Sequence, residues 1–589
     1  MDTISPRNRM SARGPTFTVR AVIYACAVIL PAVLSGHSKA QTTRPAPLDP
    51  NQTEKNFERF EAEQRRAKKT TVPIPTVARP EIPADTKPLF ELKAVSVEGA
   101  SAIAGDVIAE AYESYIGTTV SQADLVAIAV KIGDRYREAG YHLSRAIVPP
   151  QDINGGRIRI RVIEGQIAEV EFKGDGAERF GIRPMLDPVL AEQPSRLKTL
   201  ERQLMLVNDR PGVRVADTAL EEIGEATGRF RLIVYLKTAR INSAIGVSNA
   251  GTPAVGPWQT YFATGVNSSL FAGDSLGVNL STVPDAMREL RFGRLLYDTP
   301  MGVNGARLGA TASYSEIWPG DDRRQLNTKT IGDSFELRAS IDPLQTRKST
   351  LRLTVAAGYS DISERDMLGP NYQDHIRTVD LRADYRLNDD FGGWNYLNLT
   401  LRQGIDVLGA SRKGDDFLSN SGGSGSFTLL NFSSTRIQKL TDEFSLKISA
   451  TGQFASTTLL TSQQFYLGGP AFGRGYFSGD LSGDDGIAGS LELRFDQRRN
   501  DDFLKGYQLY GFVDRGTVWY RDGTDQRFSL SSAGGGVRLY FADALQADFA
   551  IAVPLDYRSA YNDKGNPRFL FSLAKSFDLC PDRASMRCL

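Results

Sequence analysis

Arg474 stands between two glycines and ahead of a tyrosine, in Gly473-Arg474-Gly475-Tyr476. Gly473 and Gly475 remove side chains from around it and permit positive φ, so a planar guanidinium can protrude from a tight loop tip. A carboxylate suited to meet it is Asp514, set within Phe512-Val513-Asp514-Arg515-Gly516. An arginine–carboxylate pair can be bidentate, which fixes orientation as well as distance. In wet surroundings such a pair is worth about 1–3 kcal/mol, enough to hold a loop in one position and little enough to let it be displaced. The chemistry on offer is a latch. The bland alternative is an ordinary loop with Asp514 as a solvated charge.

Other chemistry-bearing residues lead nowhere comparable. Gly273-Asp274-Ser275-Leu276 spells an esterase block, but it opens the alternating run Leu276-Gly277-Val278-Asn279-Leu280 and lacks a nearby downstream Asp-x-x-His, so a hairpin turn is expected. His37, His142 and His375 are too few and too far apart for a histidine metal site. Cys26 falls in a segment expected to be removed, leaving Cys580 and Cys588, which could pair in an oxidising compartment. Neither neighbours a histidine and no C-x-x-C occurs, so no metal, redox centre or cofactor is expected, and no catalytic residue either. With 70 Lys+Arg against 69 Asp+Glu, the formal net charge of +1 offers no overall footprint for nucleic acid.

The latch needs a wall and a loop, and residues 240–577 supply them. Phe335-Glu336-Leu337-Arg338-Ala339, Val379-Asp380-Leu381-Arg382-Ala383-Asp384-Tyr385, Leu397-Asn398-Leu399-Thr400-Leu401-Arg402, Phe444-Ser445-Leu446-Lys447-Ile448 and Leu491-Glu492-Leu493-Arg494-Phe495 put apolar groups on one face and charges on the other. That is the two-residue period of a transmembrane barrel. A soluble sandwich shares it, but the absence of any helical pattern, turns of Gly, Asn and Asp, and aromatic strand ends favour the barrel. Arginine facing lipid at the midplane costs roughly 2–4 kcal/mol, so Arg338, Arg382, Arg402 and Arg494 must face a polar lumen. At roughly 20 residues per strand with its turn, about 16 antiparallel strands are expected, and closure leaves no edge unpaired. A mean hydropathy of −0.28 leaves no room for a bundle of membrane helices.

Upstream, two small α+β modules are expected in tandem, at 89–165 and 166–239. In the first, 92–98 alternates, 103–115 and 122–139 are helix-like, Gly140 stops the second helix, and 143–148 and 157–163 alternate again. In the second, 167–172 is strand-like, 183–192 and 197–207 helical, and 213–220 and 229–237 strands. Residues 1–40 read as a cleaved secretory signal: Arg7, Arg9, Arg13 and Arg20 precede an apolar stretch at 21–34, and Ser38-Lys39-Ala40 ends it. The polar leader at 41–68 includes 51–68, which favours helix by propensity. A helix polar on nearly every face sits in water or in a hydrated channel, so this segment is either a plug helix or a solvated leader. Pro73, Pro75, Pro80, Pro83 and Pro88 mark 69–88 as an extended linker.

The run Gly140-Tyr141-His142-Leu143-Ser144-Arg145-Ala146-Ile147-Val148-Pro149-Pro150-Gln151-Asp152, with Arg157-Ile158-Arg159-Ile160-Arg161-Val162-Ile163-Glu164-Gly165, resembles the first POTRA domain of the TpsB transporters of two-partner secretion, also called the haemolysin secretion/activation family. Asn208-Asp209-Arg210-Pro211-Gly212-Val213 is similar to a turn of the second POTRA domain. Gly473-Arg474-Gly475-Tyr476 resembles the family's tip of a long loop folded into the barrel, and Phe512, Asp514 and Gly516 its Phe-x-Asp-x-Gly wall motif. The resemblance implies an outer-membrane barrel with two periplasmic POTRA domains and a plug helix, surrounded by outer-membrane lipid and inserted by the barrel-assembly machinery. It also implies a non-enzymatic translocator that secretes an unfolded exoprotein bearing an N-terminal two-partner secretion domain. Rival readings are a barrel-assembly insertase of the same superfamily, expected to carry three or more POTRA domains, and a passive porin, which needs none. The family usually ends on the aromatic residue of its last strand; here 578–589 extends beyond Phe577.

Overall fold

The computed structural model describes residues 53, 72–77, 79, 81–153, 155–523, 526–556 and 565–578. The signal at 1–40, the helix read at 51–68 apart from Thr53, and the extension beyond Asp578 with its two cysteines lie outside the described residues.

The first module contains β1 (Pro88–Glu91), β2 (Ala94–Glu98), α1 (Gly105–Ala109), β3 (Thr119–Ser121), α2 (Gln122–Glu138), β4 (Arg145–Ile147) and β5 (Arg157–Ile163). Its main sheet runs β2-β5-β4, with β2 parallel to β5 and β4 antiparallel. Ser121 and Asp124 form a reciprocal capping box that starts α2, and Gly140, at φ +93°, ends it. The helix face Ile128, Ile132 and Tyr136 packs onto Ile158, Ile160 and Val162. Tyr136 Oη donates to Glu164 at 2.7 Å and the amides of Ser101 and Ala102 donate at 2.6 and 2.8 Å. Burial pushes the Glu164 carboxyl up, but these bonds outweigh it and hold the group below its usual range.

The second module contains β6 (Gln166–Lys173), α3 (Asp187–Leu190), α4 (Leu197–Asn208), β7 (Val213–Glu222) and β8 (Arg229–Thr238), with sheet order β6-β8-β7. Helix formation at 103–115 and 183–192 is shorter than the apolar spacing suggests. The first breaks after α1 into a 3-10 turn, and Gly117, at φ +80°, turns the chain into β3. In the second, Pro184 and Pro188 each lack an N–H to continue the preceding turn, leaving a 3-10 turn followed by the four-residue α3.

Sixteen strands among the described residues close a barrel. They begin with β9 (Ile241–Ser248), β10 (Gln259–Asn267), β11 (Ser275–Thr282), β12 (Leu290–Met301), β13 (Ala306–Ile317), β14 (Lys329–Gln345), β15 (Ser349–Asp366) and β16 (Gly369–Asn388). After β17 (Gly393–Gly404), β18 (Thr428–Lys439) and β19 (Phe444–Ala455), a separate hairpin of β20 (Phe465–Leu467) and β21 (Leu481–Gly483) interrupts the wall. Then β22 (Asp485–Arg498), β23 (Leu504–Trp519), β24 (Arg527–Phe541), β25 (Leu545–Pro554) and β26 (Arg568–Asp578) return to β9, pairing Ser572 with Ser248 and Asp578 with Asn242. The esterase-like block is a hairpin turn: Gly273 has φ +80° and Asp274 accepts the amides of Ser269, Leu270 and Phe271.

Alternation along the strands sorts side chains between lipid and lumen. Leu337, Leu381, Leu399, Leu493 and Val513 are exposed on the outer face. Their neighbours turn inward and pair: Arg382 and Arg402 both reach Asp380, at 2.6 and 2.8 Å, Arg494 reaches Glu492 at 2.8 Å, and Arg338 lies 3.7 Å from Asp298. Among the described residues no helix is long and apolar enough to cross a membrane; the crossing is made by strands. Strands β14, β15 and β16 have 17, 18 and 20 residues, well beyond the roughly 9–11 needed to span. On the outer face of β15 the apolar run Leu353, Val355, Tyr359 gives way to Asp361, Ser363 and Arg365, so the surplus lies at the end remote from the two modules.

The modules are joined to each other and to the barrel by specific bonds. Arg145 reaches Glu222 at 2.8 Å across the module joint. Arg202 donates to the Asn304 carbonyl at 3.0 Å, the Arg347 amide to Glu201 at 2.6 Å, and Arg210, held within its own module by the Phe180 carbonyl at 3.0 Å, to the Ala272 carbonyl at 3.3 Å. The near mouth of the barrel therefore opens beside the second module.

Candidate functional site

The connection at 456–484 leaves β19 at the far end of the barrel and folds back inside. Its root is fixed by two fully buried carboxylates. Asp484 accepts the amides of Leu459 and Arg521 at 2.9 and 2.8 Å, and Asp485 accepts the Ala455 amide and Arg521 Nε, both at 2.6 Å. The β20–β21 hairpin carries the chain inward, and residues 468–480 form the tip.

At the tip Arg474 meets Asp514 in a bidentate pair, Nε to Oδ2 at 2.9 Å and Nη2 to Oδ1 at 2.8 Å. The main chain joins in, with the amides of Gly473 and Arg474 donating to the same Oδ2 at 3.3 and 3.1 Å. The Arg474 side chain is 9% exposed and Asp514 fully buried. Phe512, two residues before Asp514 and on the same face, lies under the guanidinium with its ring centroid 3.4 Å from Cζ. Gly516, two residues after, leaves room for Leu467, whose methyl carbons lie 2.7 Å from where a Cβ would stand. Phe-x-Asp-x-Gly is thus one inward face of β23 offering a ring, an acid and a hollow.

The two tip glycines act differently from one another. Gly473 has φ +89° and closes a turn in which the Tyr476 amide donates to the Gly473 carbonyl at 2.9 Å. The positive φ expected at Gly475 is absent. That residue is required by close approach instead, because a Cβ would stand 2.8 Å from Pro554 N and 2.9 Å from the Val553 carbonyl carbon. Tyr476 is buried, and its hydroxyl lies 3.0 Å from the Ser531 carbonyl and 3.2 Å from Asp556. The tip is also held from the last strand, where Arg568 donates to the Tyr476 carbonyl and covers the Phe477 ring at 4.0 Å.

Sequence reasoning missed a second carboxylate. Glu492 accepts Arg474 Nη1 at 2.6 Å and is also met by Arg494 Nε at 2.8 Å and Arg538 Nη1 at 3.0 Å. Arg538 continues to Asp548 at 3.0 Å and covers Tyr510 at 3.9 Å, while Ser490 bridges Arg474 and Asp514 at 3.0 and 2.7 Å. The signal was the alternation Leu491-Glu492-Leu493-Arg494, which places Glu492 on the inner face. Its meeting with Arg474 follows from register, Ser490 opposite Asp514 and Glu492 opposite Phe512, which no local pattern displays. Among the described residues no cluster suited to a metal ion is present.

A closed sixteen-strand barrel with a returning loop latched to its inner wall, fed from two α+β modules, matches known proteins over most of its length. A model of ShlB-type POTRA domains matches residues 90–165, and the model of the haemolysin secretion/activation proteins ShlB/FhaC/HecB matches 232–539. The chain belongs to that family: it is an outer-membrane transporter of two-partner secretion, its POTRA domains lie in the periplasm, and it works with a secreted exoprotein. The family is one of secretion channels and not a class of enzymes. Among its relatives, the heme/hemopexin transporter protein HuxB of Haemophilus influenzae is 26% identical over 485 residues, 80% of this chain and 84% of HuxB. The outer membrane transporter CdiB of Escherichia coli is 21% identical over 438 residues, 72% of each chain. The solved structure of Escherichia coli CdiB shares the fold with a TM-score of 0.72 at 19% identity, covering 91% of this chain and all of that one.

Proposed function

We propose that the POTRA domains take up the unfolded N-terminal secretion domain of one exoprotein, and that the Arg474 loop occupies the lumen until this substrate displaces it. The observation that carries the reading is the bidentate Arg474–Asp514 pair inside a closed wall, on a loop rooted at the opposite end from the POTRA domains. Such a contact has one well-defined seated geometry, and its release depends on an entering chain competing for the same wall. Strand edges of β4 and β7 are placed to accept extended segments through main-chain bonds that tolerate many sequences. We extend the same proposal to the polar leader at 51–68, on its composition alone, as a second occupant of the lumen. We assign no catalytic step to the chain; direction comes from the difference in free energy between an unfolded cargo inside and a folded one outside. Replacing Arg474 or Asp514 with Ala abolishes cargo secretion while barrel levels at the surface stay near normal. Unchanged secretion would remove the latch from the mechanism.

A further inference from the structure

Residues 72–77, Val-Pro-Ile-Pro-Thr-Val, do not hang free between leader and POTRA domains. Val72 is 2% exposed within the apolar core of the second POTRA domain, together with Leu200, Leu204, Val213 and Val215, and Ile74 and Val77 pack against the same cluster. Thr218 Oγ1, on β7, donates to the Pro73 carbonyl at 2.7 Å. The segment then passes to the first domain, where Arg79 lies 3.2 Å from Asp134 and the Ala123 amide donates to the Asp85 carbonyl at 3.2 Å.

The character of this occupant describes the groove. Val72 and Ile74 are two residues apart, the spacing that points extended-chain side chains to one face. The groove borders β7, the edge of the sheet β6-β8-β7, whose outer rim has no strand beside it among the described residues. Pro73 and Pro75 carry no N–H, so this segment cannot donate ladder bonds from those positions. Among the described residues its hydrogen bond to β7 comes from the Thr218 side chain. It fills the groove with apolar groups and, among the described residues, makes no main-chain bond to the β7 edge. A proline-free extended segment with β-branched residues at the same spacing fills the same cluster and gains ladder bonds as well.

We propose that residues 72–77 are a built-in pseudosubstrate, and that the groove of the second POTRA domain takes an extended, β-branched segment of the exoprotein in their place. This rests on the reading that the POTRA domains receive the substrate, and it specifies where and in what form. The strap makes entry competitive: a segment binds only when its ladder bonds outweigh the contacts of Val72, Ile74 and Val77.

The test uses the full chain in detergent micelles and a fluorescent peptide of residues 70–79 carrying P73T and P75T. The strap variant V72D/I74D, which expels the native segment, binds this peptide at least tenfold more tightly than the unaltered chain does, and the peptide with both prolines retained binds it more weakly. A second variant, P73C/T218C in a C580S/C588S background, joins strap to strand under oxidation. It loses peptide binding when oxidised and recovers it on reduction, which guards against V72D/I74D merely unfolding. Equal binding by the strap variant and the unaltered chain, or undiminished binding by the oxidised pair, overturns the inference. Deletion of 90–165 is scored separately for export: loss of export there, with no peptide binding in either variant, removes the groove and leaves the transporter reading standing.

Discussion

Asp514→Asn isolates the charge of the latch from its shape. Asp514 accepts two guanidinium bonds at 2.9 and 2.8 Å, two amides at 3.3 and 3.1 Å, and the Ser490 hydroxyl at 2.7 Å. The amide side chain can keep one acceptor and turns a donor toward the other guanidinium nitrogen. Breaking one side of a buried ion pair costs about 3–5 kcal/mol. Glu492 stays 2.6 Å from Arg474 and keeps the guanidinium partnered, so the lower end applies, about 3 kcal/mol. At roughly 1.4 kcal/mol per tenfold, the ratio of unseated to seated loop rises about 100-fold. The assay is the fraction of time a single reconstituted channel spends at its higher conductance level, with heat-modifiable migration confirming an intact barrel. A double substitution with Arg474→Gln adds little to Arg474→Gln alone, because the two residues act as one unit. An unchanged open fraction in D514N, with the barrel folded, refutes the argument that this pair sets the position of the loop.

Tyr476→Phe removes a hydroxyl bonded at 3.0 Å and leaves the buried ring, so it loosens the tip by only about 1 kcal/mol; its open fraction falls between those of the unaltered channel and D514N. Deleting residues 51–68 raises conductance in planar bilayers, and an unaltered conductance counts against a plug there. In the first POTRA domain, His142 is buried with neither ring nitrogen hydrogen-bonded among the described residues, and burial pushes its pKa down to about 4. The unfolded chain binds this proton near pH 6.5 and the folded domain only near pH 4, so its contribution is full above 6.5 and is lost progressively as pH falls between the two, by about 3 kcal/mol at the lower end. Calorimetry of the intact protein from pH 7 to 4 measures that slope, and H142F flattens it.

The barrel was legible because its physics is local. Each strand repeats one choice between lipid and water, so Leu337-Arg338 or Leu381-Arg382 states its orientation without knowledge of its neighbours. The tip and wall motifs were legible as residue types, Arg474 and Asp514 above all. What joins them was not. Glu492 differs in no local way from Glu336 or Asp380, and only the register of β22 on β23 brings it to Arg474. The hold of Arg568 on the tip depends on closure, since β26 approaches the loop only when the wall is complete. Gly475 was read for conformational freedom when the constraint is a wall within van der Waals reach, set by strand packing far along the chain. The Pro-rich linker was read from composition as an extended spacer; Val72 and Ile74 gain their meaning from a groove assembled some 130 residues later.

The uneven height of the barrel rim bears on what happens after export. Strands β15 and β16 continue past the last outward apolar residues, while β9 to β11 span only 8 or 9 residues. A polypeptide leaving the pore thus meets tall polar strand ends on one flank and, on the other, short strands whose connecting loops close over a small apolar cluster of Ala254, Val283 and Ile317. The exit is therefore lopsided, and the two sides present surfaces of different chemistry to a chain that has just left the pore.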